Sequence, residues 1–518
     1  MQPQGAKVRW YDLPIHPLVV AAYAVLSIFA LNVEQVRASA MLRALLVSLV
    51  GGMLLWALTS LACRDWWRGA ILTSLLLALF FSYGHLYHLL EARPVLGLEL
   101  GRHRLLGPVY ILILVLAVWG VGWKLRLVKP LNRIFNLVSL TLMLFPLLQL
   151  AGFGIGQLRP ATGEPAQTAG TVSLRAGDAP PDVYYIILDG YTRADVLQER
   201  FDYDNSAFLQ DLQALGFYVA ECSQSNYTQT LLSLTSSLNM VYLDALGEGN
   251  WTQNTELYGL VQHNAVMETF KGLGYRTIAF ETGYYWLNLE EANYYFSPTT
   301  QAVNTGESRL PVNGFEAMLI RESAGLVLTD LLSFLPENVQ PDLEYPNRYH
   351  RERVLYQLEK LGEIPYTLPG PKFTYAHIIA PHSPIVFGPQ GEWVVLPEGL
   401  SDEGWRQAHT DEIQYVNQRV LELVTEIIST SARPPVIILQ ADHGAMLSDQ
   451  ENHAQILNAY YLPGDGEAGL YPSITPVNTF RLVFNRYFDA HFPLLEDLTY
   501  RSYYDTPFDF ALVDGGCP

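Results

Sequence analysis

Two short apolar runs in the second half of the chain end in acid. Val183-Tyr184-Tyr185-Ile186-Ile187-Leu188 leads straight into Asp189, and the stretch 434–441 leads into Asp442-His443-Gly444. A third run, 372–380, carries His377 and opens into Pro381-His382-Ser383-Pro384; His453 follows Asp442 by eleven residues. Two carboxylates and three imidazoles at or just past strand ends make a ligand set for a divalent metal such as zinc or manganese. Singly, Asp and His after strands are ordinary turn and cap formers; only the set points to a metal. A reaction also needs a nucleophile. The segment Ser225-Asn226-Tyr227-Thr228-Gln229-Thr230-Leu231-Leu232-Ser233 sits just before a helix, where a hydroxyl faces free backbone N–H groups and a positive dipole end. Bound to a metal there, a hydroxyl becomes an alkoxide-like nucleophile. Thr and Ser are also plain N-caps, so the neighbouring ligand set is what favours the chemical reading.

The elements that must hold these residues read as α/β. Strands are expected at 183–188, 217–220, 276–280, 373–380 and 435–440, with helices around 205–215, 230–240, 258–272 and 407–430. Strands alternating with helices predict a mostly parallel sheet covered on both faces. In such sheets ligands bind beyond the carboxyl ends of the strands, which is where the acids and histidines fall. The stretch 290–370, rich in Tyr, Asn and Pro, reads either as a substrate-facing insertion or as surface loops.

The first third of the chain is different in kind. Residues 1–159 hold 14 Lys/Arg and 5 Asp/Glu, a balance of +9; the remainder holds 18 basic and 46 acidic side chains, a balance of −28. So acidic a domain argues against nucleic acid as a partner, since phosphate contact needs basic patches. With 12% aromatic residues and long apolar runs the chain is not disordered. Apolar runs at about 17–33, 41–62, 69–90, 108–128 and 132–155 have the length a helix needs to cross about 30 Å of hydrocarbon. Five spans are therefore expected within 1–155, then a Gly/Ala/Thr/Pro tether at 156–181 and the α/β domain at 182–518.

Lys7, Arg9, Arg64, Arg68, Lys124, Arg126, Lys129 and Arg133 fall on one side of those spans, against Arg37, Arg43, Arg93, Arg102 and Arg104 on the other. The bias puts the N-terminus inside and the α/β domain on the outer face of the plasma (inner) membrane. The first run lacks a small-residue cleavage site, so it reads as a span and not as a cleaved signal. His85 and His88 read as ordinary interfacial residues, and contact with a lipid head group is the alternative. Of three cysteines, Cys222 and Cys517 share the outer domain and can pair in an oxidising compartment, although separate thiols are the plainer reading.

The order Asp after a strand, Thr at a helix start, His-Ser-Pro, Asp-His-Gly and a later His resembles the alkaline phosphatase and sulfatase superfamily. With five preceding spans it looks like the lipoteichoic acid synthases and the lipid phosphoethanolamine transferases. The resemblance implies metal ligation by Asp189, Asp442 and His443, with the nucleophile's own oxygen added. His382 and His453 match histidines that hold a second metal or the substrate phosphate, and His377 is the weaker match. For the nucleophile, Thr230 places Ser233 and Ser236 at the family's downstream positions, whereas Thr228 has the separation from Asp189 seen in the phosphoethanolamine transferases. Thr230 is preferred. The formylglycine motif C/S-x-P-x-R is absent, which argues against sulfate ester chemistry, and Asp189 stands where those enzymes use Glu. The resemblance thus implies a membrane-bound, metal-dependent phosphotransferase. It would move a phosphoglycerol or phosphoethanolamine head group from a lipid donor, through phospho-threonine, to a glycan, lipid or water. A hydrolase using water alone, and an inactive receptor or scaffold, are the competing readings.

Overall fold

The computed structural model describes residues 13–91, 103–158, 174–175, 177, 179–246, 251, 254–298, 310–331, 336, 340–397, 399–445, 453–464 and 469–513. The chain divides into two compact units, residues 1–155 with 306–346, and residues 156–305 with 347–518.

The first unit is helical. Four helices are long and apolar enough to cross a membrane: Ala38–Cys63, Trp66–Leu90, His103–Lys124 and Val128–Ile155. The first expected span forms the 16-residue helix His16–Leu31. At 1.5 Å per residue it is about 24 Å long, short of a full crossing. Its start is fixed by polar contacts inside the bundle. His16 Nδ1 lies 2.6 Å from Ser74 Oγ, and Asn136 Oδ1 accepts the His16 backbone N–H at 3.0 Å.

Residues 306–346, which the sequence places within the outer domain, cluster instead with these helices. Helix Gly314–Arg321 is closed by a capping box between Asn313 and Glu316. Its Phe315 is buried among Val25, Ile28, Phe29, Met41 and Ala44. Arg43 pairs with Glu316, and His85 Nδ1 lies 2.7 Å from Glu322 Oε2. His85 is thus occupied by a protein carboxylate.

The second unit is built on a seven-stranded sheet. Its strands are β1 (Val183–Leu188), β2 (Tyr218–Val219), β3 (Arg276–Phe280), β4 (Tyr294–Phe296), β5 (Lys372–Ile378), β6 (Val436–Gln440) and β7 (Asn458–Tyr461). The order across the sheet is β2-β7-β6-β1-β5-β3-β4. From β6 to β4 the pairs are parallel; β7 runs antiparallel to β6, and β2 antiparallel to β7. Every residue of β1, β5 and β6 is buried. A strand covered on both faces needs no polar alternation, and β1 accordingly reads as a continuous apolar run, as do the first four residues of β6, whereas β5 buries Lys372, Thr374 and His377 along its length.

Helices cover both faces of this sheet. Asp402–Thr430 begins five residues before the expected boundary, capped by Ser401 Oγ on the Gly404 N–H. The helix expected at 258–272 is two, Thr255–Gln262 and Ala265–Gly272. Asn264 breaks between them and caps the second by accepting the Met267 N–H. The 23-residue helix Tyr345–Thr367 was not expected, because its sequence is largely polar and carries Pro at both ends. Cys222 is disulfide-bonded, against the plainer reading of free thiols, and Cys517 lies outside the described residues.

Candidate metal centre

The central strands bring the acids together. In register, Ile187 of β1 lies beside His377 of β5 and Gln440 of β6. Asp189 stands one residue past the end of β1, and Asp442 two residues past the end of β6. The chain must turn sharply between Asp189 and the next helix, and Gly190 does so at φ +72°, a left-handed value that a side chain resists. That turn aims the Gly190 N–H at Asp442 Oδ1, 3.2 Å away.

Four groups meet at one point. His443 Nε2 lies 3.5 Å from Asp189 Oδ1, 3.4 Å from Asp442 Oδ2 and 3.0 Å from Thr230 Oγ1. His443 Nδ1 is 2.8 Å from the Gly444 carbonyl. A carbonyl only accepts, so Nδ1 carries the proton and Nε2 offers its lone pair to the site. The Thr230 hydroxyl accordingly donates to Nε2. Ligand atoms of Asp189, His382 and His443 lie within 4.8 Å of one another, as do those of Asp189, His377 and Asp442. His453 packs against His443, with ring centroids 4.5 Å apart and the rings tilted by 42°.

Thr230 is the first residue of the helix Thr230–Asn239, where backbone N–H groups lack helical partners. Ser233 Oγ donates to the Asp442 carbonyl at 2.7 Å and ties this helix start to the metal-side loop. Thr228, two residues earlier and buried, makes none of these contacts. The structure therefore places Asp189, Asp442, His443, Thr230, His382, His377 and His453 together, and leaves Thr228 aside.

The residues fit a divalent cation. Both Asp189 oxygens, Asp442 Oδ2 and both ring nitrogens of His377 and His453 are buried without a hydrogen-bond partner among the described residues. His377 Nε2 comes within 3.1 Å of Asp189 Oδ2, but off the line a hydrogen bond needs. Buried charges left in this state are costly unless paired or bound to metal. Burial pushes the Asp189 carboxyl up, yet His382 and then His377 outweigh it and hold the group below the usual carboxylate range. Burial likewise opposes charge on His382, but Asp189, the Ser383 carbonyl and Asp442 raise it above its ordinary value. His453 is pushed down to about 3, chiefly by burial. A neutral imidazole there suits ligation, whereas a charged His382 suits an oxyanion.

Several residues around the centre carried no signal in the sequence. Glu412 Oε1 accepts the Val386 and Phe387 N–H groups at 2.9 and 3.2 Å and braces the loop that follows His382. Burial pushes Glu412 up to about 8. One turn away, His409 is pushed down to about 3 by burial. Both lie mid-helix, where nothing marks them as functional. His350 and Arg353, three apart on the unexpected helix, were missed with it.

No protein-family model and no curated protein sequence matches the chain. Among solved structures it is similar to the C-terminal periplasmic domain of EcEptC from Escherichia coli in complex with Zn. That match has 13% identity and a TM-score of 0.42, covering 66% of this chain and 95% of the other. The integral membrane lipooligosaccharide phosphoethanolamine transferase A from Neisseria meningitidis matches at 12% identity and a TM-score of 0.37, covering 88% of both chains. A 2-O GAG sulfatase, BT1596, matches at 11% identity and a TM-score of 0.35, covering 61% of this chain and 72% of the other.

Proposed function

We propose that the chain is a membrane-bound, metal-dependent phosphotransferase whose α/β unit works on the outer face. It would take a phospho-head group, of phosphoglycerol or phosphoethanolamine type, from a membrane lipid through a phospho-threonine intermediate. The observation that carries this reading is the convergence of a helix-start hydroxyl, Thr230, with His443, Asp189 and Asp442 around orphaned carboxylate oxygens. Asp189, Asp442 and His443 would hold a divalent cation, zinc or manganese, which lowers the pKa of an adjacent hydroxyl and polarises a phosphoryl oxygen.

The chain's own residues do the rest. Thr230 Oγ1 would form the new bond to phosphorus as the P–O bond to the lipid alcohol breaks, and the threonine proton would be returned through solvent to the departing alcohol oxygen. The unpaired N–H groups at the start of the Thr230–Asn239 helix face the phosphoryl oxygens. His382 would hold those oxygens, His377 and His453 would orient Asp189 and His443, and a glycan, lipid or water hydroxyl would complete the transfer. The disulfide at Cys222 favours an oxidising, extracytoplasmic compartment for this unit.

The test is metal analysis and intact mass of the purified full chain after exposure to a bacterial lipid extract. Bound divalent metal and a phospho-head-group adduct on the peptide holding Thr230, lost in Thr230→Ala, are expected. Metal and turnover of chromogenic phosphodiesters without any adduct would replace the transferase with a hydrolase. A folded chain with neither metal nor adduct would overturn enzymatic function altogether.

A further inference from the structure

Outside the metal group, the second unit holds a buried cation without an anion. Arg353 is 8% exposed, yet among the described residues its guanidinium makes one hydrogen bond, Nη2 to His350 Nδ1 at 2.8 Å. No carboxylate among the described residues lies within ion-pair distance of it. Glu281, the acid whose charge bears on it most, is instead bonded by the hydroxyls of Tyr349, at 3.1 Å, and Ser297. The guanidinium also lies against the Tyr349 ring, 5.9 Å from its centroid.

A gap is built for this group. Gly283, at φ +103°, passes so close that a Cβ there would stand 2.5 to 2.9 Å from the guanidinium atoms. The next residue, Tyr284, is within electrostatic reach of Asp189, Asp442 and Arg353 alike. His350 similarly senses Arg353, His382 and Asp189, and is neutral, pushed down to about 3 mainly by burial. A buried Arg is ordinarily paired or fully hydrogen-bonded. An unpaired guanidinium presents a planar fork matched to an oxyanion.

We propose that Arg353 receives a second oxyanion of the substrate, one that does not react, while the reacting phosphate sits at Thr230. This rests on the function proposed above and adds that donor or acceptor carries two anionic groups. His350, bonded to Arg353, and Tyr284 are within electrostatic reach of both positions.

The experiment uses the full-length, metal-loaded chain in detergent and measures binding by calorimetry. The probes are propyl phosphate, the bisphosphates of propanediol, butanediol and hexanediol, and phosphobutyrate. One bisphosphate is expected to bind about 10- to 100-fold more tightly than propyl phosphate, from the charge-assisted bonds to a guanidinium. Arg353→Gln should bring it to the propyl phosphate level while leaving propyl phosphate unchanged, and Arg353→Lys should fall between. Phosphobutyrate gaining as much as the bisphosphates would identify the second group as a carboxylate; no gain there would identify phosphate. If no two-anion probe exceeds propyl phosphate in the unsubstituted protein, the proposal is overturned whether or not the variants fold. It is overturned as well if Arg353→Gln weakens all probes equally. If no phosphate binds at all, the reading of Thr230 and the metal group falls first, and this proposal with it.

Discussion

Chelation tests the metal centre through stability, independently of any substrate. Three carboxylate oxygens, both of Asp189 and one of Asp442, are buried without a hydrogen-bond partner among the described residues. An unsatisfied buried group costs about 1–3 kcal/mol, so together they carry a penalty of roughly 3–9 kcal/mol that a cation removes. Mass action gives a consistent scale, since a ligand at a thousand times its Kd stabilises by about 4 kcal/mol. At about 2–4 °C per kcal/mol, the second unit should unfold about 8–16 °C higher with metal than without. The assay is tryptophan-fluorescence melting of the full chain in detergent, dialysed against chelator and then titrated with zinc or manganese. Asp189→Asn and Asp442→Asn should each lose most of that increment, and Thr228→Ala should keep all of it. A chelated protein that melts within about 2 °C of the metal-loaded one would refute the reasoning. So would an Asp189→Asn variant that still gains the full increment.

The same geometry sets three further outcomes. Thr230→Ala should lower turnover of a chromogenic phosphodiester at least 1000-fold or so and Thr230→Ser much less, because Ser keeps the oxygen; equal losses in the two would show that the hydroxyl is not the nucleophile. His377→Gln should weaken metal affinity about 10- to 100-fold by releasing Asp189, read by competition with a fluorescent chelator; unchanged affinity would reduce His377 to a packing residue. Glu412, held near 8 against an ordinary value near 4.5 by burial, favours its protonated form in the folded state. Its contribution to stability is full below about pH 4.5 and is lost as pH rises through about 8, on the order of 5 kcal/mol. Glu412→Gln keeps the acceptor for Val386 and Phe387, so its melting temperature should lose that slope; a slope identical to the unsubstituted protein's would sink the assignment.

What could be read in advance was whatever burial writes into local sequence. β1 is apolar along its whole length and β6 up to its last residue, Gln440, because both faces are covered, and the change to Asp189 and Asp442 marks where each strand ends. The start of a helix at Thr230 was visible from the same contrast. The two-residue choice between Thr228 and Thr230 rests on the hydrogen bond to His443, which no spacing encodes. Arg353 and His350 stayed hidden because the helix that carries them is polar enough to pass for a loop. The disulfide at Cys222 could be read only as the less plain of two alternatives, since three cysteines without a CxxC pair fix no partner. The association of residues 306–346 with the apolar helices rests on an eight-residue helix with a single strongly apolar face. That is too short a pattern to announce its partner.

The return of residues 306–346 to the apolar helices also bears on the order of events in time. The chain leaves the first unit at residue 155, returns to it at 306 and departs again after 346. During synthesis the first unit therefore stays unfinished until 150 residues of the second have emerged, with Val25, Phe29 and Met41 waiting for Phe315. Neither unit is a contiguous cassette, so a chain cut at residue 181 would carry an apolar helix face parted from its mate. Folding of the two units is interleaved: the first cannot be completed before the stretch 156–305 of the second has been made.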